Sequence, residues 1–285
     1  MESPRRARLR LLPLIMLTPN ILTVLALCAG LTAILFALSQ DWTLAVVAIL
    51  LAGVLDGLDG RLARLLKVAG KFGAELDSLA DFVSFGVAPG IVAYLWSLNE
   101  FGRFGWIVAL VYIVCCGLRL ARFNTALEDP AKAALAAMFF TGVPAPAAAG
   151  LAVVPMIVTF QWDLAAFRHP ALVGAHLLVI AFLMVSRIPT FAFKKIRVRR
   201  DLVLPMLLVV GVLATALAAM PWATLTVIGV AYVALIPFSI VSHKRMAQVM
   251  PPFAPAEPAP SGATTQIDHH QSTEAATQAG QRNHT

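Results

Sequence analysis

The sequence predicts an all-α protein that crosses a membrane several times. Hydrophobic side chains make up 59% of the 285 residues and charged ones only 13%, whereas soluble domains average about 25% charged residues. The mean hydropathy is +0.81, and the apolar residues form continuous runs rather than the alternating pattern of a membrane β-barrel. These observations argue against a soluble enzyme, a disordered chain and a nucleic-acid-binding domain, so no nucleic acid is expected as a partner.

Eight apolar runs approach the length of about 20 residues that a spanning helix needs, and the second, fourth and sixth are short. In chain order, the predicted spans are Pro19–Leu38, Thr43–Asp59, Asp77–Trp96, Phe104–Leu118, Val143–Phe160, Ala171–Arg187, Leu202–Ala219 and Trp222–Val241. Pro144 and Pro146 are expected to open the fifth helix, where a missing N–H group costs little. The spans predict a polytopic helical bundle with about eight transmembrane helices.

The basic residues indicate how this bundle is oriented. Apart from Arg282 near the end of the tail, nineteen Lys and Arg residues lie in the N-terminal segment or after spans two, four, six and eight, and two, Arg103 and Arg168, lie on the other side. Cytoplasmic loops of membrane proteins carry such an excess of basic residues. We therefore expect a multi-pass protein of the cytoplasmic membrane with both termini in the cytoplasm.

The two ends of the chain differ in composition from the spans. Residues 1–17 form a basic segment, expected on the cytoplasmic side. Residues 250–285 contain Pro251 and Pro252 near their start and are rich in Pro, Ser, Thr, Gln and Ala. Such a composition cannot bury enough apolar surface to fold, so we expect a disordered cytoplasmic tail.

Four aspartates are concentrated around the connection between spans two and three. Asp56 and Asp59 are spaced i,i+3 at the end of one predicted span, and Asp77 and Asp81 are spaced i,i+4 at the start of the next. Each pair projects from one helix face, so the four carboxylates converge if the helices pack side by side. Clustered carboxylates are costly to desolvate, and hard divalent cations are well suited to neutralise them. The sequence therefore predicts a metal site at the cytoplasmic edge of the membrane.

Another interpretation of any single Asp is a solvated acid at a helix end, paired with Arg61, Arg64 or Lys71. Four acids at this spacing favour the metal site instead. Gly60 leaves room for a ligand against the backbone, and Arg64 offers a planar fork for phosphate oxygens. Carboxylates, metal ions and Arg together suit a diphosphate, and the location suits a substrate with a polar head and lipid tails.

The residues form the motif Asp56-x2-Asp59-Gly60-x2-Ala63-Arg64-x8-Gly73-x3-Asp77-x3-Asp81. This motif resembles, without any departure, the signature of the CDP-alcohol phosphatidyltransferases. Further segments are similar to the branch of that family that uses serine as the acceptor: Thr18–Thr23, Ala80–Pro89, Arg119–Asn124, Thr141–Pro146 and Ser186–Thr190. Together the similarities run from about residue 18 to residue 195.

The resemblance implies a six-helix catalytic core, here residues 18–200, with two additional transmembrane helices in residues 201–249. It implies transfer of the phosphatidyl group of CDP-diacylglycerol to the hydroxyl group of L-serine, with release of CMP. It also implies two divalent metal ions, Mn²⁺ or Mg²⁺, direct displacement without a covalent intermediate, and a homodimer in contact with membrane lipids.

The resemblance also assigns roles to individual residues. The metal ligands would be Asp56, Asp59, Asp77 and Asp81, and Asp81 would also act as the general base. The residues in contact with the CDP-lipid would be Asn20, Thr23, Gly60, Arg64, Gly70, Gly73 and Ser78. The acceptor site is the least defined, with Arg119, Arg122 and Asn124 as candidates to bind the carboxylate of serine; both arginines could instead be anchors at the cytoplasmic face.

Other functions are open at this stage. The acceptor could be a different alcohol, such as glycerol phosphate, inositol phosphate or choline, although a choline site would need an aromatic cage. A cation transporter could use the Asp cluster as an ion path, but transport sites usually lie near the bilayer midplane. A structural scaffold would leave the four costly acids without a purpose.

Overall fold

The computed structural model describes residues 17–66, 70–128, 140–186, 189–190, 203–232 and 234. The chain divides into one unit, Met1–Arg245, and a second unit, Met246–Thr285. The second unit lies outside the described residues, as do residues 1–16 of the predicted N-terminal segment and the predicted tail at 250–285.

The described ranges contain ten α-helices. Their bounds are α1 Thr18–Leu38, α2 Trp42–Leu66, α3 Lys71–Asp81, α4 Ala88–Trp96, α5 Arg103–Glu128, α6 Ala145–Ala152, α7 Val154–Trp162, α8 Pro170–Val185, α9 Val203–Ala219 and α10 Pro221–Tyr232. A π-helical turn, Phe82–Val87, joins α3 to α4, and short 3₁₀ turns at Leu98–Phe101 and Ala165–Arg168 precede α5 and α8.

These helices form eight apolar segments at the eight predicted positions. Five are long and apolar enough to span a membrane: Thr18–Leu38, Trp42–Leu66, Lys71–Trp96, Arg103–Ala126 and Ala145–Trp162. The sixth, seventh and eighth segments are the shorter helices α8, α9 and α10. The prediction of an all-α, polytopic helical bundle is therefore confirmed.

Two helices continue well beyond the predicted ends of their spans, and the third segment begins at Lys71, six residues before its predicted start at Asp77, so that Asp81 is the last residue of α3. The second span was expected to end at Asp59, but α2 continues to Leu66, and the fourth was expected to end at Leu118, but α5 continues to Glu128. Hydropathy marks where the lipid-compatible part of a helix ends, whereas backbone hydrogen bonding continues through good helix formers such as Leu, Ala and Arg. As a consequence, Asp59 and Arg119 lie within helices rather than at helix ends.

Small residues allow the first helices to pack closely. A three-residue connection joins α1 to α2, so the two helices pack as antiparallel neighbours. Ala33 and Ala37 of α1 and Ala45 of α2 are buried in this contact region. At Gly30, a Cβ atom would lie 2.7 Å from the Cα atom of Ser84, so the close approach of α1 to the π-helical turn requires glycine. Such small residues characterise helix interfaces in membranes.

Two side-chain hydrogen bonds connect the π-helical turn to neighbouring helices. The hydroxyl of Tyr112 in α5 donates to the backbone carbonyl of Phe85 at 2.9 Å. The hydroxyl of Ser84 donates to the carbonyl of Ala26 in α1 at 3.1 Å. Tyr112 and Phe85 are almost completely buried. Because the turn begins directly after Asp81, these contacts position the end of α3 relative to α1 and α5.

One antiparallel strand pair occurs in the described part of the chain. β1, Phe140–Thr141, pairs with β2, Pro189–Thr190, so that Phe140 lies opposite Thr190. This pair connects the segment before α6 with the segment after α8. Pro144 immediately precedes α6 and Pro146 lies in its first turn, as expected from the sequence.

Candidate active site

Three carboxylates converge between α2 and α3. Asp56 and Asp59 lie one helical turn apart on α2, and Asp77 lies on α3, which follows after a four-residue connection. One carboxylate oxygen from each residue lies within 4.8 Å of the other two. Oxygen ligands of Mg²⁺ lie about 2.1 Å from the ion, and hence at most about 4.2 Å apart. Small side-chain adjustments would bring the three oxygens into one coordination sphere, so the donor set fits a hard divalent cation.

Asp81 lies beside this group of three. Its carboxyl group lies next to that of Asp56 and is within electrostatic range of Asp77. Two carboxyl groups remain in contact only if a proton or a cation lies between them. The four aspartates therefore form one continuous cluster, in which Asp81 occupies the position nearest the π-helical turn.

Asp59 is the most buried of the four aspartates, with 3% of its surface exposed. The hydroxyl group of Thr23 in α1 donates a 2.7 Å hydrogen bond to Oδ2 of Asp59. A hydrogen bond to a metal-binding carboxylate fixes the direction of its other oxygen. Thr23, expected at the CDP-lipid, therefore also orients the carboxylate of Asp59.

A cavity of about 200 Å³ opens next to the carboxylates. It is lined by Pro19, Asn20, Thr23, Asp59, Gly60, Ala63, Gly70, Gly73, Ala74 and Asp77. Five of the seven residues expected at the CDP-lipid are in this lining. At Gly73, a Cβ atom would lie 2.9 Å from Oδ1 of Asn20, so glycine is required for the two sides of the cavity to approach each other.

The other two residues expected at the CDP-lipid, Arg64 and Ser78, lie outside the lining. Nε of Arg64 donates to the carbonyl of Gly60 at 2.8 Å, and the side chain is exposed. Sequence reasoning singled out neither Pro19 nor Ala74 as lining residues. Ala74 could have been identified from its small side chain and from its position one turn before Asp77 on α3.

The three residues expected at the acceptor site have different environments. Nδ2 of Asn124 donates to the hydroxyl of Ser78 at 2.9 Å, which joins α5 to α3. Nη1 of Arg122 donates to the carbonyl of Val185 at 2.9 Å, at the C-terminal end of α8. Arg119 is 8% exposed, and no partner for its Nε atom occurs among the described residues. Arg119 is also within electrostatic range of Asp81.

Family models match most of the described chain. One, described as CDP-alcohol phosphatidyltransferase, matches residues 16–188 and therefore covers α1 to α8. Another, described as CDP-alcohol phosphatidyltransferase 2, matches residues 201–237, which contain α9 and α10. The first match includes all four aspartates and all the residues that line the cavity.

Several proteins are similar to this chain over long alignments. A CDP-diacylglycerol–serine O-phosphatidyltransferase of Mycobacterium tuberculosis (strain ATCC 25618 / H37Rv) is 39% identical over 230 residues, 81% of this chain and 80% of the relative. A protein of the same name from Bacillus subtilis (strain 168) is 35% identical over 177 residues, 62% of this chain and 91% of the relative. An archaetidylserine synthase of Methanothermobacter thermautotrophicus is 32% identical over 173 residues, 60% of this chain and 67% of the relative.

Proposed function

Because this chain belongs to the CDP-alcohol phosphatidyltransferase family, we propose that it transfers the phosphatidyl group of CDP-diacylglycerol to L-serine and releases CMP. The observation that carries this proposal is the similarity to relatives named for that reaction, at up to 39% identity. The cluster of aspartates beside an open cavity provides the chemistry that such a transfer needs.

In this proposal, the carboxylates of Asp56, Asp59, Asp77 and Asp81 hold two divalent ions, Mn²⁺ or Mg²⁺. Bound ions of this kind neutralise a diphosphate and the charge that develops on the leaving CMP. All protein ligands in the cluster are oxygens, which both metals accept. Thr23 keeps Asp59 directed toward the cluster through its hydrogen bond.

We assign the role of general base to Asp81. The hydroxyl group of serine is a poor nucleophile until a base within hydrogen-bonding reach accepts its proton. Asp81 is outside the group of three converging carboxylates but in contact with Asp56. In direct displacement, the serine oxygen forms the new bond to phosphorus, the bond to CMP breaks, and the proton passes to Asp81.

The cavity is the proposed site of the CDP moiety. Gly60, Gly70 and Gly73 leave backbone accessible on one side, and Asn20 and Thr23 provide polar side chains on the other. Arg64 and Ser78 remain part of the proposal. Arg64 is exposed one turn after Gly60 and has remaining guanidinium donors for a phosphate. Ser78 lies one residue after Asp77.

The proposal also covers the division of the chain, its orientation in the membrane and its oligomeric state. Residues 18–200 would form the catalytic core and residues 201–249 two additional membrane helices; separate family matches at 16–188 and 201–237 support this division. The distribution of basic residues supports cytoplasmic termini and a cytoplasmic active site. The homodimer is proposed from the family resemblance alone.

The test is CMP release by the purified full-length protein in detergent, with CDP-diacylglycerol and Mn²⁺. L-serine, glycerol 3-phosphate, inositol phosphate and choline are offered separately. We expect CMP release with L-serine. Asp81→Asn should lower the rate of release at least about a thousandfold, because it removes the general base. Asp163→Asn is the matched control, because Asp163 is exposed at the end of α7 in a left-handed conformation that Asn also adopts.

Other results would change the conclusion. Release with another alcohol in place of serine would keep the family and replace the acceptor. Absence of release with every alcohol, from folded and metal-loaded protein, would contradict a transferase. Accumulation of cations in vesicles that depends on the Asp cluster would then favour transport.

A further inference from the structure

His176 is an ionisable side chain inside the apolar helix α8, and the proposed reaction does not use it. Its Nε2 atom lies 2.8 Å from the backbone carbonyl oxygen of Leu151 in α6. A carbonyl oxygen can only accept a hydrogen bond, so Nε2 carries the proton and donates it. Ionisable residues inside membrane segments are costly and rare, and they usually have a specific role. The bond to Leu151 indicates what that role is.

The carbonyl group of Leu151 lacks its regular helical partner. In a continuous α-helix, this oxygen would accept the N–H of the residue four positions later. That residue is Pro155, which has no N–H group. The chain is interrupted at the same place, because Val153 separates α6 from α7, although its dihedral angles (φ −90°, ψ −2°) are still right-handed. The imidazole of His176 therefore supplies a hydrogen bond that Pro155 cannot.

The surroundings of this carbonyl group offer poor substitutes for the imidazole. The N–H of Val153 is directed to the carbonyls of Ala149 and Leu151, but a bond to a residue only two positions away has strained geometry. A cavity of about 350 Å³ borders the region. Its described lining consists of Leu151, Val154, His176, Gly229, Val230 and Ala234. Apolar cavities remain dry, and the bilayer interior provides no water for an unpaired carbonyl.

The position of α6 matters for the active site because α6 packs against the π-helical turn. Ala145, Ala148 and Ala149 of α6 are almost completely buried, so the helix is in close contact with its neighbours. The π-helical turn begins directly after Asp81, the proposed base. A shift at the interrupted end of α6 would therefore be transmitted through the turn to the end of α3.

We propose that His176 is a positioning residue, which replaces the backbone donor that Pro155 removes and thereby holds α6 against the π-helical turn beside Asp81. The inference goes beyond the proposed reaction, because the hydrogen bond is needed whichever alcohol is the acceptor. It also has a specific consequence: the imidazole should become dispensable once position 155 carries an N–H group.

The test is a double-mutant cycle between His176 and Pro155 in the full-length protein in detergent. His176→Leu should lower the Tm by about 4–8 °C, because it leaves the carbonyl of Leu151 without this donor. It should also lower kcat for CMP release about tenfold, because displaced reacting groups slow the chemical step, with KM for L-serine changed less than about twofold. Pro155→Ala alone should change Tm and kcat little. In the double variant, the N–H group introduced at position 155 should restore both values to those of Pro155→Ala.

Two further variants complete the experiment. His176→Gln retains a side-chain N–H donor and should keep most of the Tm and kcat of wild type. Pro205→Ala is the matched control for the rescue, because Pro205 is exposed in the first turn of α9, where an N–H group has no helical acceptor. Combined with His176→Leu, it should restore neither value. If His176→Leu yields no folded protein, recovery of folded protein with Pro155→Ala but not with Pro205→Ala is the same test.

Other results would overturn the inference. If His176→Leu equals wild type in Tm and kcat, the hydrogen bond is not required. If Pro155→Ala does not restore the His176→Leu protein, the imidazole has a different role, and a loss of activity in His176→Gln at unchanged Tm would identify that role as chemical. A Tm that follows the cycle while kcat stays constant would exclude positioning of the active site. Because Tm is measured without substrate, it tests the hydrogen bond even if the proposed reaction fails.

Discussion

The hydroxyl group of Thr23 in α1 lies 2.7 Å from Oδ2 of Asp59 in α2 and donates a hydrogen bond to it. Both side chains are buried, and Thr23 also lines the cavity beside the carboxylates. The contact therefore links the first helix to both parts of the proposed site.

Thr23→Val should weaken metal binding with little change in shape. Valine has nearly the volume of threonine but leaves Oδ2 of Asp59 without this partner. Loss of a hydrogen bond to a metal ligand typically lowers metal affinity about ten- to a hundredfold. We expect the Mn²⁺ concentration for half-maximal CMP release to rise by that factor. Thr32→Val is the control, because Thr32 lies in the same helix and its hydroxyl donates to the carbonyl of Cys28, away from the carboxylates; an equal effect of both variants would contradict the assignment.

Gly73→Ala should impair binding of the CDP-lipid. The added Cβ would lie 2.9 Å from Oδ1 of Asn20, so the Asn20 side chain must leave its position in the cavity wall. A displaced rotamer costs about 1 kcal/mol, and we expect the KM for CDP-diacylglycerol to rise about fivefold. Gly150→Ala in α6 provides the comparison, since no atom of the described residues beyond its own stretch of helix lies within 4 Å of the added Cβ, and its KM should equal that of wild type.

Asp77→Asn should stabilise the metal-free protein and reduce the stabilisation that added metal provides. Three carboxylate oxygens lie within 4.8 Å of one another, and removal of one charge relieves their repulsion. Relief of about 1 kcal/mol corresponds to a Tm increase of about 2–4 °C in EDTA. Added Mn²⁺ should raise the Tm of wild type, because it binds only the folded site, and should raise that of the variant less. The Tm of Asp163→Asn should follow wild type in both conditions, and a lower Tm of Asp77→Asn in EDTA would contradict the prediction.

Tyr112→Phe should destabilise the fold through the π-helical turn. The substitution removes the donor to the carbonyl of Phe85 and leaves a buried acceptor unsatisfied, which costs about 1–3 kcal/mol. Thermal unfolding in detergent measures this as a decrease in Tm of several degrees. Tyr94→Phe is the matched control, because the ring of Tyr94 keeps its edge contact with Trp106. Equal stability of Tyr112→Phe and wild type would show that the hydrogen bond is not required.

Much of this architecture follows from patterns in the sequence. Long apolar runs are local properties of the chain, so the positions of the eight helical segments could be predicted. The spacing of Asp56 and Asp59, and that of Asp77 and Asp81, determines which carboxylates share a helix face. A short connection between the two helices then brings both faces together, and this is why the cluster could be anticipated.

Contacts between distant helices could not be predicted in the same way. Apolar residues surround the full circumference of helices such as α5, so their periodicity does not indicate which side meets a neighbour. The rotation of α5 decides that Arg122 reaches Val185 and that Asn124 reaches Ser78. It also leaves Nε of Arg119 without a partner among the residues that the structure describes. The π-helical turn could not be predicted either, because the amino-acid composition of Phe82–Val87 is also compatible with an ordinary α-helix.

The π-helical turn inserts one residue relative to a continuous α-helix, and one residue corresponds to about 100° of rotation about the helix axis. The part of the Lys71–Trp96 segment that carries Asp77 and Asp81 is thereby turned relative to the part that packs in the core around Trp96. In an unbroken helix, the usual 100° step per residue would set the angle between the direction of the carboxylates and the direction of the buried apolar face. The offset changes the angle between these two directions, so that Asp77 can face the other carboxylates while the residues after Val87 face the core.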